Sequence, residues 1–324
     1  MPKYTPPQVW QSDFSTHPLF AGYESVCREI EGSVWPNLSA LNNLARKNGV
    51  LNAKRVPIQF AEHETPKGQR AYETQIHQTG FVPTRTENWH DLLNACVWLT
   101  WPKLKAALNH IHCLQVQVGH INGEFELNRE SELIRELELI RKSDLTSDSE
   151  LNCVSRLNDQ SELTAQSQLS TEPKLNGQYQ RSRESDTATL FDESGAILIG
   201  PDPRLAQWLI DHDWHRAFVT ERHLWQSHRL LVIGHAVLEK TINPYPGMIA
   251  KVLYQPYPTC TPDQDLSVVV KAVDDLHAQR WLNQTFAKPS DLFALPILGV
   301  PGVDALNENT QYYENEKVFR PLRA

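Results

Sequence analysis

The chain has 324 residues, of which 40% are hydrophobic and 22% charged, and its formal net charge is −8 at pH 7. These values predict a globular protein with a sizeable core, built as one large domain or two moderate ones. The acidic balance disfavours a nucleic-acid partner, and no apolar run reaches the roughly 18 to 20 residues of a membrane span. The opening residues lack a secretory leader pattern, and the five cysteines include no C-x-x-C pair, which predicts a cytoplasmic protein with reduced thiols.

The N-terminal part is predicted to be helical with one β-hairpin. Residues 19–48 should form helix, with a break at Trp35-Pro36, where the proline disrupts helical geometry. The segments VPIQF and RAYETQIHQ, residues 56–60 and 70–78, predict the two strands of the hairpin, joined by a turn-rich loop.

The apolar segment ENWHDLLNACVWLTWP, residues 87–102, predicts a buried helix with Thr86 as its N-cap. This helix should end near Thr100, because the residue before Pro102 is pushed out of helical geometry. Pro102 is then suited to begin a second helix. Apolar residues at spacings of three and four predict that one stripe of this second helix faces the core. The residues of that stripe are Leu104, Ala107, Leu108, Ile111 and Leu114.

A hexapeptide repeat follows. Leucine occurs nine times at a strict spacing of six from Leu127 to Leu175, and serine follows four residues later in six of the nine units. Six residues advance an α-helix by about 600°, so the leucines form no helical stripe, whereas in an extended chain they share one face. Two interpretations stay open, a polar and disordered low-complexity insertion or a short β-solenoid of the hexapeptide type. The sequence favours the insertion.

The C-terminal part mixes strands and helices. The segment TATLFDESGAILIG, residues 187–200, predicts two strands around a turn at its DESG sequence. A helix beginning near Asp202, a strand before Gly234 and a short helix after Gly234 come next. A strand at 248–255 and a helix near 263–280 precede a tail rich in proline and glycine.

These elements predict an α+β fold, with a helical N-terminal part that contains a β-hairpin and a C-terminal part of mixed strands and helices. Residues 1–119 and 184–324 should form one body, because the N-terminal half alone offers only a hairpin and a few helices. Residues 120–183 would interrupt that body as the insertion that contains the hexapeptide repeat.

Three polar residues interrupt the buried helix near its start. His90 and Asn94 lie one turn apart, and Asp91 follows His90 directly. In one hypothesis they form a buried polar clasp that fixes the helix, with support from Lys105 and Asn109 of the next helix. In the other hypothesis they belong to a functional site.

His235 and Glu239 are four residues apart on the short helix after Gly234, so both side chains can point the same way. This spacing suits two metal ligands, or a catalytic base with its orienting carboxylate. Asp192 and Glu193, in the predicted DESG turn, are more typical of solvated turn residues. The H-E-x-x-H, G-x-S-x-G, Walker and G-x-G-x-x-G motifs are absent, so no catalytic motif assigns a reaction.

One arrangement would join these residues, with His90, Asp91, Asp192, His235 and Glu239 converging on a divalent cation or a water molecule. His90, Asp91, His235 and Glu239 are then the candidate catalytic residues, and His90, Asp192, His235 and Glu239 the candidate metal ligands. Such ligands suit zinc, manganese or iron, which activate water for hydrolysis. Two functions follow: a non-catalytic binding or structural module with a buried polar clasp, which the sequence favours, and a metal-assisted hydrolase.

Four stretches of the chain carry a resemblance to a known family. They are VPTRTENWHDLLNACVWLTWPKLKAALN, TATLFDESG, VIGHAVLEK, and LPILGVPG with the later YYENEKVFRP. Together they span most of residues 56–119 and 184–320, and they resemble the bacterial family called domain of unknown function 3025. The resemblance implies a shared fold and a bacterial source, and it implies no reaction. The repeat lies where a short connection is expected, which favours an insertion.

Overall fold

The structure is a computed structural model. It describes residues 4–5, 7–62, 68–118, 183–258 and 264–322. One of its two compact units comprises Met1–Val116 and Arg181–Ala324, and the elements and the candidate site described below lie in this unit, apart from the last residues of one helix. The hexapeptide repeat lies outside the described residues, so the insertion and the solenoid both stay predictions.

The described residues form α-helices and short β-strands. The helices are α1 (Glu24–Ile30), α2 (Leu38–Lys47), α3 (Gln69–Thr79), α4 (Trp89–Thr100), α5 (Pro102–Val118), α6 (Arg183–Ser194), α7 (Pro203–Ile210), α8 (His235–Thr241) and α9 (Leu266–Leu282). The strands are β1 (Gln59–Ala61), β2 (Phe81–Pro83), β3 (Gly195–Gly200), β4 (Arg229–Val232), β5 (Ile249–Pro256) and β6 (Phe293–Pro296).

A four-stranded mixed sheet has the strand order β4-β3-β5-β6. β3 pairs in parallel with β5 and antiparallel with β4, and β5 pairs antiparallel with β6. Every residue of β3 is buried, as expected for a strand that is covered on both faces. The fold is therefore α+β, as the sequence predicts. Within the described segments, no helix has both the length and the apolar character needed to cross a membrane.

Buried polar contacts join the N-terminal helices to the C-terminal half. The hydroxyl of Tyr23 donates to the carbonyl of Val232 at 2.7 Å and accepts from the indole N–H of Trp101 at 3.0 Å. Asp274 of α9 accepts from the backbone N–H groups of Lys103 and Leu104 at 3.1 and 2.8 Å. Asp274 therefore caps the first turn of α5, where the backbone N–H groups have no partner within the helix.

The predicted N-terminal β-hairpin is wrong. β1 and β2 pair in parallel, and α3 lies between them in the chain because parallel strands need a crossover connection. Residues 70–78 belong to α3, whose buried positions Glu73, Ile76 and His77 have helical spacing. Two of these three residues are polar, so the positions of the apolar residues alone do not show the helical spacing.

The strand and turn predicted from TATLFDESG are also wrong, because these residues lie in α6 and at the start of β3. Thr187, Ala188 and Phe191 are buried at helical spacing. β3 follows directly at Gly195, where an added Cβ would lie 2.3 Å from the carbonyl oxygen of Phe191. Glycine is therefore required for this close backbone approach, and not for a hairpin turn.

The boundaries of α4 and α5 agree with the sequence except at one cap. α4 ends at Thr100 and α5 begins at Pro102, as predicted. The N-cap of α4 is Asn88 and not Thr86, because the Asn88 side chain accepts from the backbone N–H of Asp91 at 3.0 Å. The side chain that reaches the free N–H groups of the first turn therefore lies two residues later than predicted.

Candidate functional site

Two histidines from different halves of the chain meet at one place. His90 lies in the first turn of α4 and His235 is the first residue of α8. Their Nε2 atoms are 3.2 Å apart, and their rings pack edge to face with centroids 4.6 Å apart. The sequence predicted that these two residues would be close.

Gly234 brings the start of α8 against the end of α6. A Cβ at Gly234 would lie 2.5 Å from the backbone nitrogen of Gly195 and 2.6 Å from the carbonyl oxygen of Glu193. The backbone N–H groups of Ile233 and Gly234 both donate to the Gly195 carbonyl, at 2.9 and 2.8 Å. This tight junction places His235 beside the carboxylates at the end of α6.

Three carboxylates surround the two imidazoles. The Oε2 atom of Glu239 is 3.0 Å from His90 Nδ1, within hydrogen-bond distance. Glu193 Oε2 lies 3.6 Å from His235 Nε2, and Asp192 Oδ2 lies 3.9 Å from His235 Nδ1. His90, Glu193 and His235 each offer one ligand atom within 4.8 Å of the others, and no other such group of His, Cys, Asp or Glu occurs in the described part of the chain.

The cluster is buried at its base and open at its edge. The side chains of His235 and Glu239 are 5% and 13% exposed, whereas those of His90 and Glu193 are 36% and 42% exposed. The His90 ring and the Glu193 carboxylate are therefore partly exposed to solvent, whereas His235 and Glu239 are buried beneath them.

The pKa values of the two histidines shift in opposite directions. Burial, with contributions from Lys105 and His90, lowers the pKa of His235 to about 3 in spite of the nearby Asp192 carboxylate. Burial also opposes protonation of His90, but the hydrogen bond to Glu239 and the charges of Glu193 and Glu239 outweigh it and raise the His90 pKa. His235 is therefore a neutral imidazole at neutral pH, which is the form that binds metals.

Burial also raises the pKa of Glu193, and the Asp192 carboxylate beside it acts in the same direction. A partly exposed carboxylate that is repelled by a neighbouring carboxylate is stabilised by a nearby cation. The DESG sequence predicted a turn, and with it a solvated position for Glu193. Helical spacing of Thr187, Ala188 and Phe191 was the signal that could have placed Glu193 beside Asp192 at a helix end.

A second polar cluster lies behind His235, and we name it the clasp: Tyr72, Asn94, Lys105 and Asp192. Lys105 Nζ donates to Asp192 Oδ1 at 2.6 Å and to Asn94 Oδ1 at 2.9 Å, and Asn94 Nδ2 donates to the Tyr72 hydroxyl at 3.1 Å. Burial opposes ionisation of Asp192, but the Lys105 ammonium and then His235 hold the Asp192 pKa below its ordinary value. The sequence identified three of these residues, and Tyr72 was missed because it was assigned to a strand.

Asn109, which the sequence proposed as support, contacts a different partner. Its Nδ2 atom donates to the side chain of Glu73 at 2.8 Å and to the Glu73 carbonyl at 2.9 Å. Asn109 Oδ1 and His112 Nε2 have no hydrogen-bond partner among the described residues. Both residues line a polar cavity of about 10 Å³ next to Lys105, which is close to the size that holds one water molecule.

The structure does not bring Asp91 to the imidazoles by a hydrogen bond or an ion pair between described residues. Arg85 engages both carboxylate oxygens of Asp91, from its Nε atom at 2.8 Å and its Nη2 atom at 3.0 Å, and the backbone N–H of Arg85 adds a third bond at 2.8 Å. Asp91 thereby fixes the segment that leads into α4.

Comparison with known proteins assigns the chain to a family without assigning a reaction. The family described as "Protein of unknown function (DUF3025)" matches residues 58–130 and 160–323, which is most of the chain. No curated protein and no solved structure matched the chain. The protein belongs to the DUF3025 family, whose function is described as unknown.

Proposed function

We propose that His90, His235 and Glu193 bind a divalent transition-metal ion and that the protein is a metal-dependent hydrolase. The 3.2 Å separation of the two Nε2 atoms carries this proposal. Zinc–nitrogen bonds of about 2.0 to 2.1 Å in a tetrahedral site separate two nitrogen ligands by roughly 3.3 Å. The 3.6 Å between His235 Nε2 and Glu193 Oε2 is also near this value, so an ion can be accommodated with little movement of the side chains.

The groups behind the ligands support the same assignment. Histidines that bind metals usually donate their second ring N–H to a carboxylate, which fixes the tautomer and directs the other nitrogen at the ion. Glu239 is 3.0 Å from His90 Nδ1 and has this relation to His90. Asp192 is on the corresponding side of His235 at 3.9 Å. Glu239, predicted as a ligand, is better explained as the residue that orients His90. Asp192, also predicted as a ligand, lies beyond hydrogen-bond distance of His235 Nδ1, which has no hydrogen-bond partner among the described residues, so Asp192 acts on His235 through its charge.

Three protein ligands leave a position of a tetrahedral ion free for water. A zinc ion with two histidines and one glutamate is a common catalytic arrangement, and the ion lowers the pKa of its bound water to about 7. The partial exposure of His90 and Glu193 supports access of water and substrate to this position. Iron and manganese accept similar ligands. The proposed reaction class, hydrolysis by an activated water, therefore does not depend on which of these metals binds.

A bacterial source and a cytoplasmic location stay predictions of the sequence.

The second candidate function is a non-catalytic binding or structural module, in which His90, His235 and their carboxylate neighbours serve, like the clasp, only to hold helices together. The direct bonds of His90 to Glu239 and His235 favour it, because they join α4 to α8 without a metal ion. In this alternative His90→Ala costs about 1 to 3 kcal/mol, the usual effect of leaving buried hydrogen-bond partners unpaired.

Titration of the metal-free protein with Zn²⁺ in a calorimeter tests the proposal. We expect one equivalent to bind, and His235→Ala or Glu193→Gln to abolish binding, while His215→Ala, at an exposed histidine away from the cluster, leaves it unchanged. Co²⁺ should give the visible absorption of a four- or five-coordinate site. Failure of the wild-type protein to bind Zn²⁺ or Co²⁺, together with strong destabilisation by His90→Ala, would show that the histidine cluster has only a structural role.

A further inference from the structure

A cavity of about 590 Å³ lies between residues 18–21, residues 222–230 and the loop that begins at Val300. This volume is within the range of small-molecule sites, which are about 300 to 1,000 Å³. Trp225, Leu230, Val300 and Val303 contribute apolar surface to its wall, and Arg222 and Arg229 contribute cationic groups. The metal ligands proposed above do not line it, so it is a separate feature of the fold.

The two arginines differ in how the protein satisfies them. Arg222 Nη2 donates to Glu308 Oε1 at 2.7 Å and to Asn307 Oδ1 at 3.2 Å, and Arg222 Nη1 donates to the Tyr313 hydroxyl at 2.8 Å. Its charge is compensated by Glu308, and the N–H groups of both terminal nitrogens are occupied. Arg222 therefore shapes the cavity wall and offers little to a ligand.

Arg229 is partly buried and has no such compensation. Its Nη1 atom donates to two backbone carbonyls, those of His228 at 2.8 Å and Gln226 at 3.3 Å. Its Nε and Nη2 groups donate to no described residue, and none of the described carboxylates lies within ion-pair distance of its guanidinium. The backbone bonds hold one edge of the guanidinium in place, and the opposite edge keeps two parallel N–H donors.

We propose that this cavity binds a small organic monocarboxylate with an apolar chain. The free edge of Arg229 matches a carboxylate, which accepts two parallel N–H bonds from a guanidinium. The chain of the ligand would lie against Leu230, Val300 and Val303. With Arg222 paired to Glu308, the wall carries one uncompensated positive charge from Arg229, which suits a monoanion better than a phosphate dianion.

Hexanoate is a suitable probe, and calorimetry or saturation-transfer NMR on the full-length protein measures its binding. We expect saturable binding in about the millimolar range, as for other ligands of this size. Arg229→Gln should weaken binding about tenfold or more, since it removes the charged donor, whereas Arg229→Lys should retain part of the affinity. Arg46→Gln, at an exposed arginine of α2, is the matched control and should bind hexanoate as the wild type does.

Two further measurements separate recognition of the carboxylate from occupancy of an apolar space. Val303→Trp should block the cavity and remove binding, with the thermal unfolding of the variant measured to show that it is folded. Hexanamide, which has the same chain without the charge, should bind at least about tenfold more weakly. Equal binding of hexanamide, equal affinity of Arg229→Gln and Arg46→Gln, or absence of saturable hexanoate binding by the wild type would each overturn the proposal.

Discussion

His90 and His235 are 145 positions apart in the chain, yet their Nε2 atoms lie 3.2 Å from each other. Each stands at the start of a helix, and the two helices come from the two segments that the hexapeptide repeat separates. The pair therefore forms only when α4 packs against α8. Any function of the pair depends on the whole α+β unit and not on either segment alone.

The first prediction concerns the different roles of Glu193 and Glu239. Glu193→Gln removes a ligand, whereas Glu239→Gln removes only the group that orients His90, so Glu239→Gln should lower Zn²⁺ affinity by about 10- to 100-fold while still allowing binding. Calorimetric titration of both variants measures the difference. Glu314→Gln, at an exposed position near the C-terminus, should leave the affinity unchanged. An equal and complete loss in both variants would show that Glu239 is itself a ligand, as the sequence proposed.

A second prediction concerns the buried ion pair of the clasp. Lys105 and Asp192 have side chains only 6% and 12% exposed, so Lys105→Met or Asp192→Asn leaves a polar group without its charged partner. Each single substitution should cost about 3 to 5 kcal/mol of unfolding free energy, and the double substitution clearly less than the sum. Urea denaturation of the metal-free proteins measures all three. Additive effects would contradict a direct energetic coupling of the two residues.

The proximity of His90 and His235 was predictable because both are polar interruptions of apolar elements, which the core has to accommodate together. The helical spacing of α3 and α6 was not predicted, because some of their buried positions are polar. In α3 the buried positions Glu73 and His77 are polar, and they hydrogen-bond to Asn109 and His110. The pattern of apolar residues does not identify buried polar positions of this kind, since the partners that satisfy them are distant in sequence.

Glu193 was missed because α6 was not predicted. Its residues were assigned to a strand and a turn, so Glu193 was interpreted as a turn residue and not as a member of the cluster. The glycine that misled the interpretation, Gly195, serves a close backbone approach that sequence alone does not distinguish from a turn. Close backbone contacts of this kind could therefore not be predicted from the sequence, whereas the helix ends at Thr100 and Pro102 could.

A third prediction tests the buried contact of Tyr23 with the sheet. Tyr23→Phe removes the donor to the Val232 carbonyl and the acceptor for the Trp101 indole. It should cost about 1 to 3 kcal/mol of unfolding free energy, because two buried polar groups lose their partner. Tyr312→Phe is a suitable control, since Tyr312 is only partly buried and its hydroxyl lies 3.5 Å from Asp304. Loss of the same small amount in both variants would show that this contact contributes little.

The fourth prediction concerns the hexapeptide repeat and rests on the sequence. Deleting residues 127–180 should change the unfolding free energy by less than about 2 kcal/mol, because the leucines form no helical stripe and the cost of a loop grows slowly with its length. Chemical denaturation of the deletion protein and the full chain gives the comparison. A larger loss would mean that the repeat packs on the rest of the protein.

The last prediction is a pH dependence from Asp274. Burial raises the pKa of this carboxyl from 3.8 to about 7, although the N–H groups of Leu104 and Lys103 act in the opposite direction. Between these two pH values the folded protein binds the proton more tightly than the unfolded chain does. The unfolding free energy should therefore fall as the pH rises from about 4 to 7, by as much as about 4 kcal/mol from this residue.

Asp274→Asn isolates that contribution, because the amide keeps one acceptor oxygen for the first turn of α5 and does not titrate. Relative to the wild type, the variant should gain stability as the pH is raised from 5 to 8, since only the wild type then carries a buried charge. Urea denaturation at a series of pH values follows this difference. A wild type that gains on the variant with rising pH would show that the two backbone bonds and the helix N-terminus stabilise the carboxylate more than burial destabilises it.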